Sequence, residues 1–379
     1  MENIKFRSDN DNEQKFAREV RKRVRSYFKD KNISIYGNFK MHLKTVIMLG
    51  AYLAPFIIIL TIPLSPLAAL GMVVLMGIGE AGIGMSVMHD GAHGSYSSKA
   101  WVNKLVASTM FLLGSNTINW KIQHNVNHHS FTNIFNYDTD ISTISVIRLC
   151  EHAPLKKYHR YQHLYAFPLY GLMTFVRLFG EISVLLEYNR KGITKQQHAD
   201  PTLEVVKLVI TKVIYITLII GLPLLLTDFA FWQILIGFFI LHATAGMIMS
   251  TVFQMAHVVE GTYQPLPDEH NTIHNDWLVH QLLATSDFGR KNGLFSWYIG
   301  GLDFQIEHHL FQNVCHIHYP AIAPIIQTTA KEYGFNYNLK PTVFYALASH
   351  FRRLKELGRI EHNNKPEQHD YPVDSIQGI

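Results

Sequence analysis

Four long apolar runs divide the 379-residue chain. Thr45–Pro63 carries no charged residue, Leu67–Met88 only Glu80, Leu208–Leu226 only Lys212, and Phe229–Phe253 none. Each is close to the roughly 20 residues that take a helix across a bilayer. The first two runs are joined by Leu64-Ser65-Pro66 and the last two by Thr227-Asp228, connections without Lys or Arg. The segments 1–44, 89–207 and 254–379 hold the basic residues, so the positive-inside rule places them, and both termini, in the cytoplasm. Two weaker apolar stretches, Trp101–Trp120 and Tyr165–Leu186, are interrupted by Lys104 and by Arg177 and Glu181. They read as helices lying in the interface or partly inserted. The pattern predicts an all-α integral membrane protein of four transmembrane helices with a cytoplasmic helical cap. Its parts are a basic N-terminal segment (1–44), a membrane domain (45–350) and a polar tail (351–379) read as a fraying helix followed by disorder.

Composition narrows the chemistry. Apolar residues make up 48% of the chain and charged ones 17%. Two cysteines, Cys150 and Cys315, exclude a disulfide framework, a four-thiolate iron–sulfur cluster and a CxxC zinc site. The net charge of +5 is concentrated in the first 44 residues, with 12 Lys+Arg against 6 Asp+Glu. Beside an apolar span, such a segment reads as a cytoplasmic flank rather than a nucleic-acid arm. The first apolar run starts too late and is too long for a cleavable signal peptide.

The polar positions at the ends of these runs carry the candidate chemistry. Seven histidines fall in three words: His89-Asp-Gly-Ala-His93, His124-Asn-Val-Asn-His128-His129 and Gln305-Ile-Glu-His308-His309. A spacing of four puts two rings on one helix face about 6 Å apart along the axis. An even number of spans sets all three words on one wet face, where together they could hold two metal ions. Neutral imidazole binds transition metals and leaves coordination positions open. The zinc-protease word HExxH is absent, and no Glu has a His three residues on, so the site is nitrogen-rich and not a carboxylate cage. His257, just past the fourth run, emerges on the same face and joins the ligand candidates; His316 and His318 are left outside the set. Asp90, Asp138, Asp140, Asp303 and Glu307 lie beside the words and are candidates to accept the second N–H of ligating histidines. The Gly77-Ile-Gly79-Glu-Ala-Gly82 match to a dinucleotide fingerprint lies inside a span, where small residues serve close helix packing.

The words HDGAH, HNVNHH and QIEHH resemble the three histidine boxes of integral-membrane fatty acid desaturases. Thr132-Asn133 and Asp138-Thr-Asp140 after the second box and Leu310-Phe311 after the third agree with that family, over residues 45 to 330. Gln305 in place of the first histidine of the third box is similar to the front-end subgroup, which inserts a double bond between an existing one and the carboxyl end. Some saturated-acyl desaturases share this glutamine, so regiochemistry stays open. The resemblance implies O₂-dependent desaturation of a fatty acyl-CoA or acyl-lipid by two non-haem Fe ions. His89, His93, His124, His128, His129, His257, His308 and His309 would be the ligands, with Gln305 as a catalytic residue near the metals. No His-Pro-Gly-Gly haem motif of a fused cytochrome b5 is present. The implied electron donor is therefore separate, a ferredoxin or cytochrome b5 with its reductase, with Lys156, Lys157 and Arg160 as candidate contacts. A hydroxylase on the same scaffold, or a membrane metal-binding or transport protein, are the other readings.

Overall fold

A computed structural model describes residues 4–142 and 145–360. Its frame is four helices, each long and apolar enough to span a membrane: α2 (Phe39–Thr61), α3 (Pro66–His93), α8 (Pro201–Leu226) and α9 (Phe231–His257). Local sequence explains where they start. Asn38, Ser65 and Asp200 accept hydrogen bonds from backbone N–H groups of the first turns, and Pro66 and Pro201 occupy first-turn positions that need no N–H. Val46, Ile57, Leu67, Val213, Leu225 and Trp232 are exposed on the outside of the bundle. Such a surface suits lipid and not water. Two of the spans outrun their apolar runs: α3 reaches His93 and α9 reaches His257, so each delivers histidines on a rigid helix end.

The small residues of the second span are packing surfaces. A Cβ on Gly77 would lie 2.7 Å from the Leu241 carbonyl on α9. One on Gly79 would lie 2.6 Å from the Tyr52 backbone nitrogen on α2. The fingerprint-like glycines therefore let α3 approach both neighbours closely, as the sequence reading expected. Polar side chains within the bundle find one another. The Tyr215 hydroxyl lies 2.9 Å from His242 Nε2, His242 Nδ1 lies 3.7 Å from Glu80, and Lys212 is 3.1 Å from Glu181 on the neighbouring helix α7 (Met173–Arg190).

The two weaker apolar stretches form short helices: α4 (Ala100–Leu113), α5 (residues 117–128), α6 (Lys157–Tyr170) and α7, with α6 and α7 meeting at 81°. The cap is built from α1 (Asp11–Asp30), α10 (Trp277–Ala284), α11 (Gln305–Leu310), α12 (Tyr319–Glu332) and α13 (Val343–Leu357). Its core joins Phe16, Val20, Leu278, Leu282, Ile306 and Ile322. Two parallel strand pairs, Lys5–Phe6 with Thr272–Ile273 and Asp287–Phe288 with Leu339–Lys340, pin distant segments together. The basic N-terminal segment is thus not a free arm, because α1 buries one face in the cap. Of the polar tail, α13 covers the start up to Leu357, and residues 361–379 lie outside the described residues.

Gly79→Ala should lower the thermal midpoint of the detergent-purified protein, since overpacking against backbone costs about 1–3 kcal/mol. Gly71→Ala, whose Cβ would meet nothing within 4 Å, should leave the midpoint unchanged. Equal midpoints for the two variants would contradict the close contact of α2 and α3.

Candidate metal centre

Three helix ends and one unusual helical turn bring the histidines together. His89 and His93 occupy the last turns of α3, which stops at Gly94 with φ of +74°, a left-handed conformation that favours glycine. His257 is the last residue of α9. His308 and His309 sit on the short helix α11, against α10. The second word behaves differently from the simple helical expectation. Residues 121–128 wind as a π-helix, and the His129 N–H donates to the His124 carbonyl at 2.9 Å, a five-residue step. The wider turn brings His129, five residues on, beside His124 with ring centroids 4.6 Å apart, while His124 and His128 stay stacked with centroids 5.3 Å apart.

The result is two adjoining nests. In the first, ligand atoms of His89, His93, His124 and His308 lie within 4.8 Å of one another. In the second, those of His128, His257 and His309 do so, while His129 groups with His308 and His309 between the two. His124 and His128 fall in different nests, although their ring nitrogens also group with Asp140 within 4.8 Å. All eight of these histidines and Gln305 are buried, apart from His93, which is half-buried. His89 Nε2 is 3.2 Å and His129 Nε2 is 3.1 Å from His124 Nε2. The Gln305 amide end is 2.9 Å from His257 Nε2 and 3.3 Å from His309 Nε2.

These distances test whether a metal fits. Nitrogens about 2.1 Å from a first-row ion and at right angles to each other are about 3.0 Å apart, close to the separations seen here. The buried Nε2 atoms of His128 and His308 have no hydrogen-bond partner among the described residues, an arrangement that is costly without a ligand. The opposite nitrogens are held. His128 Nδ1 donates to Asp138 at 3.0 Å, His309 Nδ1 donates to the Gln281 amide oxygen at 2.7 Å, and His308 Nδ1 is 3.2 Å from the Tyr319 hydroxyl. For His128 and His309, whose partners only accept, the bond fixes a tautomer that leaves the Nε2 lone pair facing inward. Burial, and then the neighbouring imidazoles, hold His124, His129, His308 and His309 well below the usual histidine range, so these rings stay neutral. Burial pushes His128 the same way, but Asp138, by charge and hydrogen bond, and Asp140 outweigh it and raise it. The donor set, neutral and nitrogen-rich, fits a transition metal.

The carboxylates divide. Asp138 braces His128, and Asp140 lies 3.8 Å from the same ring. Asp90 turns away from the nests and accepts from His316 Nδ1 and the Cys315 thiol, each at 2.9 Å, while Lys44 meets His316 Nε2 at 2.6 Å. Glu307 lies 2.7 Å from the Tyr337 hydroxyl, which is also 2.6 Å from Asp287. One hydroxyl hydrogen cannot serve both, so one carboxyl carries a proton, and burial raises both. Asp303 is buried beside the third word, and burial pushes it up to about 7, with no hydrogen bond to a histidine among the described residues. His318 Nε2 donates to the Tyr36 carbonyl at 3.1 Å and stays outside both nests. Sequence reasoning missed Gln281, Tyr319 and Trp120, whose ring centroid is 4.4 Å from that of His124. Nothing in their local sequence marks the first two, because their partners are 28 and 11 residues away. Trp120 stands four residues before His124, and that spacing was the available signal.

The comparisons now bear directly on this geometry. A family model described as fatty acid desaturase matches residues 64–341, well over half of the chain and spanning all three words. The chain belongs to the fatty acid desaturase family. It is a membrane desaturase, an oxidoreductase of lipid metabolism, with histidine clusters able to hold metal. It is 33% identical to the sn-1 linoleoyl-lipid 6-desaturase of Arthrospira platensis, over 90% of this chain and 92% of that one. To the sn-1 linoleoyl-lipid 6-desaturase of Synechocystis sp. it is 32% identical, over 91% and 96%. To the acyl-lipid (8-3)-desaturase of Physcomitrium patens it is 35% identical, over 90% and 71%.

Asp138 is the testable brace of this desaturase. Its Oδ2 accepts from the Asn133 N–H and its Oδ1 from the Asp140 N–H, each at 2.9 Å. In Asp138→Asn the amide NH₂ meets a backbone N–H whichever way it turns. Turnover should fall about 10–100-fold, the usual loss for a residue that orients a ligand, as read by gas chromatography of the product. Wild-type turnover in this variant would remove Asp138 from the site.

Proposed function

We propose that this desaturase is a di-iron, front-end acyl-lipid desaturase. In this reading His89, His93, His124 and His308 hold one iron, and His128, His257 and His309 the other, with His129 serving the junction. The convergence of inward-facing imidazole nitrogens in two adjoining nests carries the proposal. Iron there would supply the O₂ activation needed to remove hydrogen from an unactivated carbon pair, chemistry beyond any side chain. The balance is R–CH₂–CH₂–R′ + O₂ + 2 e⁻ + 2 H⁺ → R–CH=CH–R′ + 2 H₂O.

The chain's own residues do the remaining work. Gln281, Asp138 and Tyr319 orient rings, so that the nests are set before substrate arrives. Trp120 and Phe253 close the nests with aromatic surface: Phe253 lies 5.0 Å from His128 and 4.7 Å from His257, centroid to centroid. Gln305, a neutral amide among imidazoles, is a weak ligand and a good hydrogen-bond partner for a molecule bound at the second nest. Support for the substrate comes from the relatives, two named for a linoleoyl-lipid and one for an acyl-lipid. A linoleoyl chain already carries double bonds, and position 6 lies on their carboxyl side, which matches the third-box glutamine. Charge asymmetry of the loops supports a cytoplasmic site and cytoplasmic termini; the electrons would come from a separate ferredoxin or cytochrome b5.

Purified protein should hold about two irons per chain. His128→Ala should lose most of that iron and all turnover, whereas Gln305→Ala should keep much of the iron and lose turnover about 10–100-fold. Full iron and activity in His128→Ala would sink the di-iron reading. Gas chromatography–mass spectrometry of lipids from an expressing host should show a product two hydrogens lighter, with the new bond on the carboxyl side of an existing one. A product one oxygen heavier would make the protein a hydroxylase. For sidedness, a reporter replacing Ser65 and one fused after Ile379 should read opposite sides of the membrane; the same side for both would overturn the topology.

A further inference from the structure

We propose that the exposed basic face of α1 is the docking surface for an acidic one-electron carrier protein, which delivers the two electrons of the desaturation balance one at a time. The proposal rests on the metal reading above. Helix α1 has two faces. Phe16, Ala17, Val20, Val24 and Phe28 are buried, and the helix packs on α12 and α10. Its buried Glu13 accepts from the Asn275 amide at 3.0 Å and from the Asp276 backbone at 2.6 Å, at the start of α10. On the other side Arg18, Arg21, Lys22, Arg25 and Lys29 are exposed at spacings of three and four. They form one stripe about 16 Å long. Among the described residues only Lys22 has a carboxylate within 4.0 Å, Glu19 at 3.7 Å. Like charges at a spacing of four destabilise a helix, so the stripe costs stability that a partner of opposite charge offsets.

The partner fits a soluble protein better than the bilayer. A helix that lies on a membrane puts its apolar face into lipid. The apolar face of α1 is used up in the cap, and the helix exposes no large hydrophobic residue. The Lys156, Lys157 and Arg160 patch has the other character. There Leu155, Tyr158, Tyr161 and Leu164 are exposed beside the basic groups, with Lys156 5.9 Å above the Tyr158 ring and Arg160 6.0 Å above that of Tyr161. Exposed Tyr and Leu mixed with Lys and Arg suit a membrane interface. That patch therefore meets headgroups and leaves α1 for the carrier, in place of the contact expected from sequence alone. Weak redox encounters need only small interfaces, and charge speeds and orients them.

The position of α1 also gives the electron a short route. The Phe28 ring stands edge-on to His318, centroids 5.3 Å apart. His318 is bonded to Tyr319, whose hydroxyl is 3.2 Å from His308 Nδ1. One ring contact, one peptide link and one hydrogen bond therefore join the helix under the stripe to a histidine of the first nest. On the other side, α10 carries Gln281, bonded to His309.

The test uses the full chain in lipid nanodiscs, with wild type, Arg21→Glu/Arg25→Glu/Lys29→Glu and the milder Arg21→Gln/Arg25→Gln/Lys29→Gln. Reduced acidic [2Fe–2S] ferredoxin and the soluble domain of cytochrome b5 serve as separate probes, in carrier-binding titrations and in turnover. For the carrier that binds wild type, the charge reversal should raise both Kd and KM about tenfold or more, and the Gln variant should do so in part. Carrier-free, dithionite-driven turnover, read as the product of a single turnover when protein reduced anaerobically and freed of dithionite is mixed with O₂, should match wild type in both variants. Lys156→Gln/Lys157→Gln/Arg160→Gln should leave Kd and KM unchanged. The proposal is overturned if the α1 variants bind the carrier as wild type does, or if their loss appears only in nanodiscs with anionic lipid, which would make α1 a lipid contact. Absence of dithionite-driven turnover in wild type would count against the metal reading, with docking still decided by the tenfold change in Kd.

Discussion

Eight imidazoles gathered at one end of a membrane bundle set the conditions for everything else in this fold. A buried histidine has two ring nitrogens, and each must find a partner or cost free energy. Here the outward nitrogens of His128, His308 and His309 are matched by Asp138, Tyr319 and Gln281, while the inward Nε2 atoms of His128 and His308 have no partner among the described residues and those of His89 and His129 crowd against His124 Nε2 at 3.2 and 3.1 Å. Protonating His124, His129, His308 or His309 does not relieve the crowding, because burial and the neighbouring imidazoles oppose the charge. A bound cation relieves it at once, by giving each inward lone pair the same partner. The clusters are able to hold metal, and binding there would stabilise the cap that presents them.

That constraint explains why the site sits on helix ends. The spans α3 and α9 are held by close contacts at Gly77 and Gly79, so their terminal histidines move only with the bundle. The cap supplies the rest from segments far apart in the chain. Asn133 shows how these are joined: its side-chain amide donates to the His257 and Ala284 carbonyls, each at 3.0 Å, and its own φ is +59°. One residue in a left-handed turn thus ties the second word, the end of α9 and the end of α10. A looser loop at this point would let His128 and His257 drift relative to each other, and the second nest depends on their spacing.

Much of this was legible in the sequence because the signals were local. Long apolar runs, and histidines repeated within a few positions, are each readable over a few helical turns. What escaped was set by contacts between distant segments. Asp90 sits inside the first word, so proximity made it a candidate brace, yet its carboxylate turns to Cys315 and His316, over 200 residues away. Gln281 and Tyr319 brace the third word from elements that no motif marks. At the second word the wide turn at residues 121–128 adds a neighbour that a four-residue spacing does not give, His129 beside His124.

That wide turn has a physical use. In an ordinary α-helix, residues four apart share a face and would serve one ion. Residues five apart do not, yet His129 has to join His124 within this one short segment. Adding a residue to the turn does this without a break in the helix, at the cost of poorer hydrogen bonding within the segment. The neighbouring fold absorbs that cost: the Thr132 hydroxyl lies 2.7 Å from the His128 carbonyl, and the Gln281 amide donates to the His129 carbonyl at 3.0 Å. Gln281 thus accepts from His309 with its oxygen and supports His129 with its nitrogen, so a single side chain couples the backbone of the second word to the ring of the third. The spacing of the two nests then follows from hydrogen bonds between words, and a change at Gln281 would be felt in both.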